Sequence, residues 1–142
     1  MYSVLANLAT AITSSATTSF FQTLGGRVYL DEAPANVQLP LCVYGVVEQT
    51  VEPTYDAESK RERFTIEFTQ YFPHSTGVAA AVQNAERLDA VLDNLELKPS
   101  GYDRIVIRAE TRGVPGIEDD AVSVSSRFRL EGTRISTTAI TV

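Results

Sequence analysis

The segment from Arg63 to Phe72 constrains the fold most, because Phe64, Ile66, Phe68 and Phe72 alternate with Arg63, Thr65, Glu67 and Tyr71. A period of two sends successive side chains to opposite faces of a sheet, so this strand has one apolar face that must be covered and one polar face. The alternation recurs near the C-terminus: Ile105, Ile107 and Ala109 face one way within Arg104 to Arg112, and Val122, Val124, Phe128 and Leu130 do so within Ala121 to Glu131. Gly113 to Asp120, with Pro115 and Gly116, reads as the turn-rich connection between those two strands. Two apolar runs, Arg27 to Leu30 and Leu39 to Val47, add strands, and Pro40 places the second at a strand start or an edge.

Helices supply the cover. Val78, Ala81, Val82, Ala85, Leu88, Leu92 and Leu95 form one stripe of a helix predicted from about Thr76 to Asn94, with Ser75 as its N-cap. Val4, Leu5, Leu8 and Ile12 predict a shorter helix over residues 3–15, with Ser3 as N-cap. Its polar side carries Asn, Ser and Thr, which suits either an Ala/Thr-rich surface helix or one covered by a neighbouring copy. Phe20, Phe21 and Leu24 then form an apolar knot before the Gly25-Gly26 turn. The expected class is α+β: a mainly antiparallel sheet of about four to five strands, two helices packed on one face, a long hairpin loop and a C-terminal tail strand. Residues 1–132 read as one domain and residues 133–142 as a tail, since neither a repeat nor a linker divides the chain. The long loop is Glu48 to Glu62, which holds Glu52, Pro53, Tyr55, Asp56 and Glu58; loops of this length in compact domains are usually functional or disordered.

Composition narrows the function. The 142 residues carry 18 acids against 12 bases, a net charge of -6, and the first 26 residues hold none of these charges. A chain of this length buries roughly 68–70% of the surface its unfolded form exposes, enough for one core without disulfides or metal. The acidic balance argues against a protein built to grip nucleic acid, an affinity that comes largely from Lys and Arg at phosphates. The neutral start lacks a basic n-region and is broken by Asn7, Thr10 and the polar run from Thr13 to Ser19, so it fits neither a signal peptide nor a membrane span. Cys42, the single cysteine, lies in an apolar run, which excludes an internal disulfide framework and reads as a buried, inert thiol in a reducing compartment.

The residue types that carry chemistry are sparse. His74 is the single histidine and follows Pro73, so it reads as a loop residue, without a second His for a metal site. Gly25-Gly26 precedes a strand, unlike a phosphate loop. The carboxylates Asp31-Glu32 and Glu118-Asp119-Asp120 suit a divalent cation or acid-base work in principle, but solvated loop charge is the default reading. No cofactor or catalytic residue is expected. The arginines are better organised: Arg104, Arg108 and Arg112 are expected on one strand face, and Arg127 and Arg129 on the outward face of the next, with Glu110 and Glu131 between them. This is either a solvated face of cross-strand ion pairs or a surface for an acidic partner, for which Glu52, Tyr55, Asp56 and Glu58 of another subunit's loop are a candidate.

The order of elements then carries a resemblance. An N-terminal helix leads to Leu24-Gly25-Gly26-Arg27-Val28-Tyr29, Asp31, Ala33-Pro34, Leu39-Pro40 and Val43-Tyr44. That succession resembles the tail-completion family of tailed bacteriophages, whose members show a Gly-Arg-(Val/Ile)-Tyr element, an Ala-Pro soon after, and a Leu-Pro before an apolar strand. The strand Arg63 to Phe72, the helix Val78 to Leu92 and the closing strand Ser126 to Leu130 are similar to later parts of that family, so the resemblance spans about residues 3–132.

The resemblance implies a virion protein without catalysis: a ring, usually a hexamer, that ends the tail tube and docks on the head-tail connector while leaving a channel for DNA as cargo. Its implied partners are its own copies, the major tail tube protein and the connector or stopper protein, with no membrane. Its implied place is the tail or neck of a virion assembled in the host bacterial cytoplasm. The charge-free N-terminal segment and the acidic loop depart from the family pattern and bear on the partner. A ring needs a heterologous interface, and the acidic loop, the arginine face, the first helix and the tail with Ile135, Ala139, Ile140 and Val142 are the available patches. A head-side connector or stopper shares these features. A small α+β ligand- or metal-binding module is the rival from another class.

Overall fold

A computed structural model of the chain describes residues 2–13, 18–53, 59–118 and 121–135. The elements run α1 (Tyr2–Thr13), α2 (Thr18–Thr23), β1 (Val28–Leu30), β2 (Leu41–Pro53), β3 (Ser59–Pro73), a 3-10 turn (His74–Thr76), α3 (Val78–Leu92), β4 (Glu96–Leu97), β5 (Tyr102–Glu118) and β6 (Ala121–Ile135). The strands form one sheet in the order β1-β2-β3-β6-β5-β4. The class is α+β as expected, but among the described residues the sheet has six strands, and β1 pairs with β2 in parallel while the other pairs are antiparallel. A third helix, α2, forms around the expected apolar knot, and its C-terminus closes on Gly25 and Gly26, both at positive φ, where Gly26 N–H donates to Phe21 O at 3.0 Å.

The period-two pattern places the core. Phe64, Ile66, Phe68 and Phe72 of β3 are buried beside Val122, Val124, Phe128 and Leu130 of β6 and Ile105 and Ile107 of β5. Against this face pack Val4, Leu8 and Ile12 of α1, Phe20 of α2, and Ala81, Ala85, Leu88 and Leu92 of α3. Phe68 meets Phe128 edge-on at 5.7 Å and stacks on Tyr44 at 5.1 Å. A polar pair ties α3 to the sheet inside the core: Asn84 Nδ2 of α3 donates to Gln70 Oε1 of β3 at 2.7 Å, and both residues are fully buried. That bond fixes how α3 sits on the sheet, because a shift along the helix axis strands two buried amides.

Several boundaries differ from the sequence expectation, each for a local reason. Ser75 does not cap α3; it lies in the 3-10 turn, and Gly77 is the N-cap residue, at φ 82°. Ser3 lies inside α1, where its hydroxyl donates to Ser100 O at 2.9 Å. The polar face of α1 turns onto its own backbone: Asn7 donates to Ser3 O, Thr10 to Ala6 O and Thr13 to Ala9 O. The expected loop from Glu48 to Glu62 is mostly ladder, since β2 and β3 stay paired from Glu48↔Thr65 to Pro53↔Lys60. Tyr55, Asp56 and Glu58 lie outside the described residues. Gly113 to Glu118 likewise belongs to β5, paired to β6 as far as Glu118↔Ala121, and Asp119 and Asp120 lie outside the described residues. Pro115 is tolerated there because β4 covers only Ile105 and Val106, so this part of β5 is an edge. β6 continues through Thr133 and Arg134 to Ile135, and residues 136–142, Ile140 among them, lie outside the described residues.

Candidate interaction surface

Helices cover one face of the sheet, and the opposite face carries the organised charge. Alternation puts Arg61, Arg63, Thr65, Glu67, Thr69 and Tyr71 of β3 on that outer face, with Ser123, Ser125, Arg127, Arg129, Glu131 and Thr133 of β6 beside them. The face divides along its length. Toward Tyr71 and Ser123 its β3 and β6 residues are uncharged, while toward Arg61 and Thr133 it is crowded with guanidinium groups.

Glu131 is the hub of the charged half. Arg63 Nε reaches its Oε1 at 2.6 Å, Arg61 its Oε2 at 3.3 Å, and Arg129 Nε its Oε1 at 3.4 Å. Partial burial pushes the Glu131 carboxyl up, but the bonds from Arg63 and Arg61 more than offset this and hold it below the ordinary range. Arg127 is tied instead to Glu67, its ladder partner, at 2.7 Å. Each exposed pair alone contributes about 0–1 kcal/mol, so the network matters more for geometry than for stability.

The arginines expected on one face separate into two groups. Arg104 and Arg108 remain outward, Arg104 lying 3.6 Å from Glu96 and Arg108 donating to Asn94 Oδ1. Arg112 does not share their surroundings. Register shifts on both sides of Thr111 break the alternation, and Arg112 reaches around the free edge of β5 to Asp89 at 3.1 Å and Asp93 at 2.8 Å on α3 and its C-terminus. Arg61, Asp103, Arg104, Val106, Arg108 and Glu131 bound a shallow groove of about 390 Å³ on the outer face. Arg61 and Arg63 join Arg129 and Glu131 only through the pairing of β3 with β6, which no local pattern in the sequence reveals.

The remaining candidates are dispersed. Glu52 stands on β2 opposite Arg61. Glu118 ends β5 at the other end of the sheet from Pro53, so the two acidic segments are at opposite ends. Asp31 and Glu32 are exposed, and among the described residues no group of three or more His, Cys, Asp or Glu side chains is placed to hold a metal ion. Cys42 is fully buried on β2, and burial pushes its thiol up, away from the reactive thiolate. His74 is exposed in the 3-10 turn. Ile135 is half exposed where β6 ends. No helix among the described residues is long and apolar enough to cross a membrane.

No family profile matches the chain, and no curated protein matches it. Solved structures do share its fold. A chain of the virion of a native gene transfer agent particle is 16% identical, with a TM-score of 0.69 over 93% of this chain and 96% of that one. A second solved chain is 17% identical, with a TM-score of 0.58 over 92% of this chain and 91% of that one. This six-stranded sheet with helices on one face is therefore an architecture found in a virion subunit, matched almost end to end.

Proposed function

We propose that this chain is a structural virion protein of a tailed, phage-like particle, and within that class a ring-forming tail-completion subunit. One observation carries the reading: nearly the whole chain superimposes on nearly the whole of a chain from a gene transfer agent virion, with 93% and 96% coverage. Two-way coverage matters because the likeness then concerns the whole of this fold and not one shared motif. The order of sequence elements from Arg27-Val28-Tyr29 through Leu39-Pro40 supports the narrower assignment.

In this reading, copies of the chain close into a ring, usually of six, on the head-proximal end of the tail tube. The ring stops tube growth, docks on the head-tail connector and leaves a channel through which DNA passes as cargo. The protein acts without cofactor or catalytic residue. A subunit of net charge -6 suits a conduit, because DNA that must slide through should not adhere to basic walls.

Native mass spectrometry and negative-stain imaging of the purified chain test the proposal. The expected result is a closed ring with an open centre, and a strictly monomeric chain across micromolar to millimolar concentrations would sink it. Cross-linking in assembled particles separates the narrower assignments: adducts with the tail tube protein support tail completion, while adducts with portal-side proteins alone replace it with a head-side connector or stopper.

A further inference from the structure

We propose that the groove on the outer face of β5 and β6 receives the acidic β2–β3 arm of a neighbouring copy of this chain. The inference rests on the ring reading above and names the contact that closes the ring.

The groove's arginines outnumber its carboxylates: Arg61, Arg104 and Arg108 line it with Asp103 and Glu131. Glu131 is shared further with Arg63 and Arg129 beside the groove, and Glu96 adds one carboxylate 3.6 Å from Arg104. Arg108 stands directly opposite Arg129 in the β5–β6 ladder, and like charges in that relation destabilise a sheet. Arg129 leans on Glu131, a carboxylate already taken by Arg63 and Arg61, while the hydrogen-bond partner of Arg108 is the neutral amide of Asn94, so Arg108 itself has no ion pair among the described residues. In a chain with six more acids than bases, such a site is electrostatically complementary to most of the molecule's remaining surface.

The arm is the segment best placed to complement it. Glu48 and Glu52 lie on β2, and neither makes an ion pair among the described residues. Glu52 faces Arg61 across the ladder, yet Arg61 turns away to Glu131. The sequence joining β2 to β3 adds Asp56 and Glu58. Within one copy, Glu48 and Glu52 of β2 are kept from Arg104 and Arg108 of β5 by β3 and β6, which stand between them in the sheet. Each copy thus offers one groove and one arm, the two unlike patches that a heterologous, ring-closing contact requires. Contacts of this kind set register and partner choice more than raw affinity.

Charge reversal tests the contact. Arg104→Glu with Arg108→Glu reverses the groove, Glu48→Arg with Glu52→Arg reverses the arm, and a four-fold variant reverses both. Each reversed pair should raise the concentration for half-assembly at least about tenfold, and the four-fold variant should return it toward the wild-type value. Circular dichroism and thermal melting establish that each variant folds, and Arg104→Gln with Arg108→Gln gives the same readout with less perturbation if a reversed chain does not. Reversed pairs that assemble like wild type overturn the proposal, as does a loss that the four-fold variant fails to recover. Groove reversal that abolishes salt-dependent binding of duplex DNA while leaving the ring mass unchanged overturns it too, and assigns the groove to DNA. A wild-type chain that forms no ring at all sinks the functional reading itself, whereas a wild-type ring indifferent to these substitutions sinks only the groove contact.

Discussion

Glu62 is the charged side chain most withdrawn from water among the described residues, at 2% exposure. Ionised carboxylates survive in such places only when hydrogen-bonded and paired. Tyr102 supplies the bond, its hydroxyl donating to Oε2 at 2.5 Å, and Arg134 the charge, its guanidinium 3.5 Å from Oε1. Tyr102→Phe removes the donor and leaves the carboxylate under-satisfied, so it should cost about 1.5–3 kcal/mol by urea denaturation, the range for hydrogen bonds to charged groups. The same contact gives an alkaline signature. Burial and the Glu62 carboxylate push the Tyr102 phenol well above its ordinary value, so the fold favours the protonated phenol. That contribution is complete below about pH 10, the ordinary tyrosine value, and is lost as pH rises beyond it. Plotted against pH, the stability difference between wild type and Tyr102→Phe should shrink above that point; a constant difference would show that the phenol carries no such linkage.

At the scale of elements, Asp93 ties α3 to the free edge of β5. Its Oδ1 accepts from Ala109 N–H at 2.8 Å and its Oδ2 from Arg112 at 2.8 Å, at the point where β4 has ended and β5 has no further strand beside it. Asp93→Ala should therefore cost about 1–3 kcal/mol and speed amide exchange at Ala109 ahead of its β6-paired neighbours, measured by NMR hydrogen exchange. Unchanged exchange would mean that the edge holds itself. The tie also explains what could be read from the sequence. Phe64, Ile66 and Phe68 announced β3 because helices bury one face and water bathes the other, and that asymmetry is what period-two patterning records. It vanishes in the arms beyond the helices: Gln49, Thr50, Val51 and Glu52, and likewise Val114, Pro115 and Gly116, have little to bury on either side and resemble loops though they are paired strand. β4 has two residues and α2 six, too few to show a period. Of the candidate groove, Arg104, Arg108 and Glu131 were legible from parity, as was the adjoining Arg129, whereas Arg61 belongs with them only because β6 pairs with β3, a contact between segments about seventy residues apart. Arg112 was misplaced for the opposite reason, since parity fails wherever a strand carries a register shift.

For the whole molecule, the question is where the folded unit ends and the part free to meet a neighbour begins. The sequence suggested a boundary after Gly132, but Thr133, Arg134 and Ile135 are paired to Arg61, Lys60 and Ser59 of β3, and Ile135 N–H donates to Gly101 O at 2.8 Å. Gly132 itself sits so close to β5 that an added Cβ would overlap the Arg104 carbonyl, which locks the strand crossing at that position. Two truncations should then differ in kind. Ending the chain at Gly132 removes three rungs of ladder and the guanidinium of the exposed Arg134 from the buried Glu62, so it should lower stability by about 1–3 kcal/mol, the range for leaving a buried polar group under-satisfied. Ending it at Ile135 keeps every one of those contacts, and its melting temperature should stay within a few degrees of wild type. The apolar residues lost in that second truncation, Ala139, Ile140 and Val142, are expected to add a strand to a neighbour's edge, so the shorter chain should assemble less well while folding normally. Sedimentation velocity on the two chains separates these effects. A chain ending at Ile135 that melts normally and keeps the full oligomer mass would show that residues 136–142 take no part in the ring, and would leave the sheet faces and the arm to close it.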